Sequence, residues 1–179
     1  MEELDKGLAI AFKGAAAKQA VAAFRRQIKT WNVALPPTEL LVLDFGLGNF
    51  AETGLIECWV ANEMKAGYCG KYLFVFDGQQ CPMHSHQHKH ETFHIIKGRF
   101  EVTLDGKLFE MGEGNVLPIP PGHPHGFKGM DDALLLEIST PCVVSDNQFR
   151  DPAIAAWLEK TTSSPGAVPN IQKSADSNQ

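Results

Sequence analysis

Cysteine is scarce and scattered in this chain. Cys58, Cys69, Cys81 and Cys142 form no C-x-x-C pair, which argues against a disulfide framework and for a reducing compartment. An excess of positive charge is also missing: 16 lysines and arginines stand against 21 aspartates and glutamates, a net charge of −5. Without a basic stripe to follow a phosphate backbone, nucleic acid is not an expected partner. No run approaches the roughly 18 apolar residues of a membrane span, so no membrane partner is expected. The alanine-rich opening MEELDKGLAIAFKGAAAKQAVAAF starts acidic and is broken by Lys13, Lys18, Arg25 and Arg26, so it does not read as a secretory leader. A glycine-rich phosphate cradle is absent as well, which weighs against a phosphorylated ligand. Together these absences point to a cytoplasmic protein that handles a small ligand.

A chain of 179 residues, 44% of them hydrophobic, suffices for one domain with a sizeable core. Residues 2–31 read as helix, hinged near Gly14, because Leu4, Leu8 and Phe12, then Val21, Phe24, Ile28 and Trp31, recur at helical intervals. The prolines of ALPP end that region, and residues 1–37 form an N-terminal helical extension. From residue 38 the texture changes to short runs separated by glycine turns: 54–61, 71–77, 91–97, 99–104, 107–111, 115–119 and 133–139. LDGK at 104–107 is a hairpin signal, since Asp-Gly supplies the positive φ angles of a type I′ turn. Many short strands without alternating helices predict a small antiparallel barrel or sandwich. DPAIAAWLEK closes the 38–160 domain as a short helix with Asp151 as N-cap and Pro152 in its first turn. Residues 161–179, poor in large apolar groups, read as a disordered tail.

Histidine is concentrated instead. Five of the seven lie in CPMHSHQHKHETFHIIKG, residues 81–98. Alternate residues of a strand face one side, so His84 and His86 can point at one ion, as can Lys89, Glu91 and Phe93 beyond a turn near Gln87 and His88. That turn assigns His88 and His90 to the rim. A second segment, GNVLPIPPGHPHGF, uses its proline and glycine pairs to return His125 to the site, with His123 one pleat away on the other face. Three imidazoles and a carboxylate (His84, His86, His125 and Glu91) suit a divalent transition ion, with positions left open for substrate or water. Lys89 shares the face of Glu91. Beside a dication its pKa is expected to fall, which fits it as a proton shuttle or substrate donor.

These residues resemble the two cupin motifs. Gly78, His84, His86, Glu91 and Gly98 match the first; Gly114, Pro120, Gly122 and His125 match the second, with Gly129 where an asparagine often stands. The resemblance implies an all-β fold, a small cupin barrel of jelly-roll type, with the ion held inside by His84, His86, Glu91 and His125. The wider segments ALPP, DFGLGNFAETGL, GKYLFVFDGQQCPMHSHQHKHE and EISTPCVVSDNQFRDP are similar to the D-lyxose isomerase family of cupin sugar ketol-isomerases, over roughly residues 20–152.

That likeness implies a metal-dependent aldose–ketose isomerase acting on a free, neutral sugar, with D-lyxose and D-xylulose as the expected pair and D-mannose and D-fructose as the alternative. Mn²⁺ is the expected ion, with Fe²⁺, Zn²⁺, Co²⁺ and Ni²⁺ as alternatives. Lys89 and Glu137 are the catalytic candidates, and which is the base stays open. Glu137 faces away from Leu134, Leu136 and Ile138, and apolar surroundings would raise its pKa towards that of a base. Lys71 is expected to reach sugar hydroxyls, and Asp146, beside Asn147, to bind substrate or, equally, to hold a turn. Phe93, Phe100, Phe127 and the run YLFVF read as core. Sheet edges and the N-terminal helix predict a homodimer. A non-haem iron dioxygenase or a non-catalytic sugar-binding cupin would present the same ligands.

Overall fold

In the computed structural model, which describes residues 2–162, two antiparallel sheets face each other and three helices pack outside them. Helix α1 (Glu2–Ile10) stops short of Gly14, whose φ of 100° lies outside the range of ordinary L-residues, and α2 (Ala15–Thr30) starts afresh beyond it. Ala17, Ala20, Phe24 and Ile28 form the buried stripe of α2. They seat on Val42, Ile56, Phe74 and Leu134, with the Phe24 and Phe74 rings edge to face at 5.1 Å. One helix thereby covers part of the outer face of one sheet.

That sheet contains, in spatial order, β1 (Leu40–Leu43), β2 (Leu55–Glu63), β3 (Tyr68–Val75), β10 (Ala133–Ser139), β5 (Glu91–Lys97) and β8 (Val116–Ile119). The second sheet orders β11 (Asn147–Phe149), β4 (Gln80–His86), β9 (His125–Gly129), β6 (Phe100–Leu104) and β7 (Lys107–Met111). This is the expected jelly-roll arrangement. Its core is built from inward side chains of both sheets, among them Phe93, Ile95 and Leu135 from one and Phe100, Val102 and Phe127 from the other. The β6–β7 hairpin turns on Asp105 and Gly106, with φ of 52° and 76°, as a type I′ turn requires. Helix α3 (Pro152–Thr162) is capped by Asp151, whose Oδ1 accepts the Ala153 N–H at 2.8 Å. Residues 163–179, most of the expected tail, lie outside the described residues. Among the described residues no helix is long and apolar enough to cross a membrane.

Strands β1, β9 and β11 were not anticipated from local pattern. Strand β9, HGFKG, has two glycines and a weak strand propensity, yet it pairs with β4 on one side and β6 on the other. Close approach explains the glycines. A Cβ at Gly126 would stand 2.9 Å from Met83 Sδ, and one at Gly129 would stand 2.7 Å from the carbonyl oxygens of both Phe76 and Asp131. Gly129 occupies the motif position where asparagine is common, and here the backbone leaves that side chain no room. Gly129→Asn is therefore expected to destabilise the protein by about 1–3 kcal/mol, lowering the thermal midpoint by about 2–4 °C per kcal/mol. An unchanged midpoint in a melting experiment would contradict this packing.

Candidate metal centre and the charges behind it

Strand β4 carries His84 and His86 two residues apart on one face, and β9 delivers His125 directly opposite His84. Glu91 opens β5 on the other sheet. The four side chains are buried, and one ligand atom from each lies within 4.8 Å of all the others. His84 Nδ1 is 2.8 Å from the Pro82 carbonyl, and His125 Nδ1 is 2.9 Å from that of His123. A carbonyl can only accept, so each Nδ1 carries a proton, and in the neutral ring it is Nε2 that presents the lone pair. Burial, with His125 and His86 adding to it, pushes the His84 imidazole well below its usual pKa, and burial likewise lowers His86. Both imidazoles are thus neutral at pH 7, the form that can ligate a metal.

The contacts inside the cluster have the wrong form for hydrogen bonds. His125 Nε2 lies 2.9 Å from Glu91 Oε2, and His86 Nε2 lies 3.2 Å from Glu91 Oε1. Nevertheless, among the described residues, His125 Nε2, Glu91 Oε2 and both ring nitrogens of His86 have no hydrogen-bond partner. Buried polar atoms left in that state cost free energy. Ligating atoms gathered within 4.8 Å of one another without hydrogen bonding each other are what a cation requires. The donor set fits a divalent ion.

Behind Glu91 runs a row of buried alternating charges. Lys89 Nζ is 2.5 Å from Glu91 Oε1 and 3.1 Å from Glu137 Oε1. Lys71 Nζ lies 3.4 Å from Glu137 Oε2 and 3.2 Å from Glu57 Oε1. Trp59 Nε1 ends the row by donating to Glu57 Oε2 at 2.7 Å, and Ser139 Oγ donates to Glu137 Oε1 at 3.0 Å. Strand register builds this row: Lys71 pairs with Trp59 on β2 and with Glu137 on β10, and Ser139 pairs with Glu91 on β5. Glu57, Lys71, Lys89, Glu91 and Glu137 line one cavity together with His84 and the rings of Phe45, Trp59 and Phe149. Gly7 and Ile10 of α1 and Trp157 and Leu158 of α3 also line it, so both terminal helices close over the barrel.

A cupin domain model matches residues 74–139, and a D-lyxose isomerase family model matches residues 38–105. The D-lyxose ketol-isomerase of Cohnella laeviribosi is 31% identical over 153 residues, which cover 68% of this chain and 83% of that one. The chain belongs to the D-lyxose isomerase family, a family of sugar isomerases within the cupins. The D-lyxose/D-mannose isomerase of Thermosediminibacter oceani is 29% identical over 158 residues, covering 71% of this chain and 86% of the relative. The L-ribose isomerase of Cellulomonas parahominis shares the fold, with a TM-score of 0.68 over 83% of this chain and 96% of that one, at 14% identity.

In this member of the D-lyxose isomerase family the four ligand candidates meet as a cluster, while His88 and His90 are exposed and His123 pairs at the surface with Asp105 at 2.6 Å. Two expectations need correction, and one open alternative is decided. The pKa of Lys89 is raised, not lowered: burial opposes its charge, but Glu137 and Glu91 outweigh burial. Glu137 is buried among two ammonium groups and a hydroxyl rather than among apolar neighbours. Asp146 is committed to the turn before β5, where its carboxylate accepts the backbone N–H groups of Gln87, His88 and Lys89 at 3.0–3.3 Å. Its neighbour Asn147, not Asp146, lines the cavity. Lys71 does line it, but with its charge shared between Glu57 and Glu137. Burial opposes that charge, and Cys142, Glu137 and Glu57 outweigh it, so the pKa of Lys71 is well above the ordinary value.

Glu57 and Trp59 were missed. The available signal was an acid at an inward position of the otherwise apolar run LIECW, alternating with Leu55 and Trp59. Asp146→Ala is expected to cost about 1–3 kcal/mol, because it strips acceptors from three N–H groups of one turn, and this loss is measurable by thermal unfolding. Unaltered stability together with a loss of sugar affinity would return Asp146 to substrate binding.

Proposed function

We propose that this protein is a metal-dependent aldose–ketose isomerase of a free, neutral sugar, with D-lyxose and D-xylulose as its pair. The observation that carries the reading is the buried contact of Lys89 with both Glu91, in the ligand set, and Glu137, outside it. Moving a carbonyl between C1 and C2 requires one group to take a carbon-bound proton and return it to the neighbouring carbon, while another controls the proton on oxygen. Glu137 is the carboxylate outside the ligand set that contacts Lys89, and its oxygens hold and move the carbon-bound proton. Lys89, kept as an ammonium by two carboxylates, orients a sugar oxygen and donates to it.

His84, His86, Glu91 and His125 would hold the ion, with Mn²⁺ the first candidate. A divalent ion there supplies positive charge against the oxygen on which negative charge develops. The neutrality of the substrate follows from charge pairing. Both lysines lining the cavity are already matched by carboxylates, so among the described residues an added phosphate would meet Glu57, Glu91 and Glu137 with no unpaired lysine or arginine of the cavity wall to receive it. The apolar lining and closing helices exclude water, which strengthens each of these charge interactions.

Chelator-stripped protein reloaded with Mn²⁺ and offered D-lyxose or D-mannose is expected to yield the matching ketose. Metal bound at one equivalent with no ketose from any aldopentose or aldohexose would sink the reading. Oxygen uptake by the iron-loaded protein would replace it with an oxygenase. His84→Ala is expected to lose metal by elemental analysis. Lys89→Met and Glu137→Gln are expected to keep metal and to lose turnover by about 10²–10⁴-fold; full activity in either variant would remove that residue from its role.

A further inference from the structure

The geometry points to Glu57 as a positioning residue that, by sharing Lys71, holds Glu137 in contact with Lys89. Glu57 is buried on β2 with both of its oxygens engaged. Trp59 Nε1 fixes Oε2 at 2.7 Å, and Lys71 Nζ lies 3.2 Å from Oε1. Trp59 also places its ring 5.7 Å from Lys71 Nζ, so the indole braces the ammonium as well as its counterion. Glu57 is three carboxylate–ammonium contacts away from Lys89 and touches none of the ligand set, which explains why no metal-site or catalytic motif reveals it.

Its effect follows from how the buried charges divide. Glu57, Glu137 and Glu91 are three carboxylates interleaved with two ammonium groups, Lys71 and Lys89. Each lysine therefore stands between two carboxylates, and Glu137 stands between two lysines, 3.1 Å from Lys89 and 3.4 Å from Lys71. Interactions between charges at these distances are strong in a dry interior. With the charge of Glu57 removed, Glu137 becomes the sole carboxylate partner of Lys71. A buried ammonium with one anion left draws that anion in, and Glu137 is pulled along the row away from Lys89. Because the carboxylate must meet a carbon-bound proton, a shift of this kind reaches the reaction without any change at the metal ligands. A misplacement of about 1 Å can cost about 10²-fold in rate.

The inference rests on the isomerase reading for its kinetic readout only. Crystal structures of the Mn²⁺-loaded wild type and Glu57→Gln would measure the distance from Glu137 to Lys89, and the same proteins would be assayed with ordinary and C2-deuterated aldose. Expected are a Glu137 carboxylate moved beyond hydrogen-bond distance of Lys89 and unchanged metal content. A kcat about 10–100-fold lower and a deuterium isotope effect larger than in wild type should accompany them. A purely structural role would lower the yield of folded protein without raising the isotope effect. Trp59→Phe retains all five charges but removes the indole donor, and it serves where Glu57→Gln does not fold; the same displacement is expected, with a kcat loss of about 3–10-fold. Glu137 unmoved from Lys89 in the folded variant overturns the proposal, whatever the rate. Glu137 displaced in a protein whose wild type isomerises no sugar upholds the positioning role and overturns the isomerase reading instead.

Discussion

A carboxylate only 1% exposed needs its charge compensated, and Glu91 is that carboxylate. Burial works against its charge, yet the Lys89 ammonium beside it holds its carboxyl well below the usual range, so it is an anion. Lys89 satisfies one side. The other side faces His86 and His125 across distances short enough for hydrogen bonds but without their alignment. The rest of the site follows from this constraint. On one side it demands a cation among neutral imidazoles, and on the other it demands an ammonium, whose own burial demands Glu137, then Lys71, then Glu57.

The barrel makes such a row affordable by distributing it over paired strands. Cross-strand register sets Trp59, Lys71 and Glu137 beside one another on β2, β3 and β10, and Ser139 brings β10 against Glu91 on β5. The opposing sheet contributes the imidazoles, and the two terminal helices complete the enclosure. Glu3 of α1 accepts the Val144 N–H at 2.8 Å, and the Trp157 ring of α3 packs where Gly46 lacks a side chain, so loops at the mouth are tied to both helices.

The parts legible in the sequence were those governed by local spacing. His-x-His places two imidazoles on one face of a strand, Asp-Gly turns a hairpin, and an Asp-Pro pair starts a helix; each rule acts within a few residues. What escaped depends on partners far along the chain. HGFKG becomes a strand because β4 and β6 flank it. Asp146 reads equally as a ligand or a turn residue until the turn at 87–89 is seen to use its oxygens. The charge of Lys89 looked unfavourable beside a dication because Glu137, 48 residues away, was not known to stand 3.1 Å from it. Glu57 looked like an ordinary strand residue for the same reason.

The most direct test of the account is an anomalous difference map from crystals of the Mn²⁺-loaded protein. One peak per chain is predicted, about 2.0–2.3 Å from Nε2 of His84, His86 and His125 and from the Glu91 carboxylate, with at least one coordination position open to the cavity. A peak elsewhere, or a site from which His125 stands apart, would contradict it.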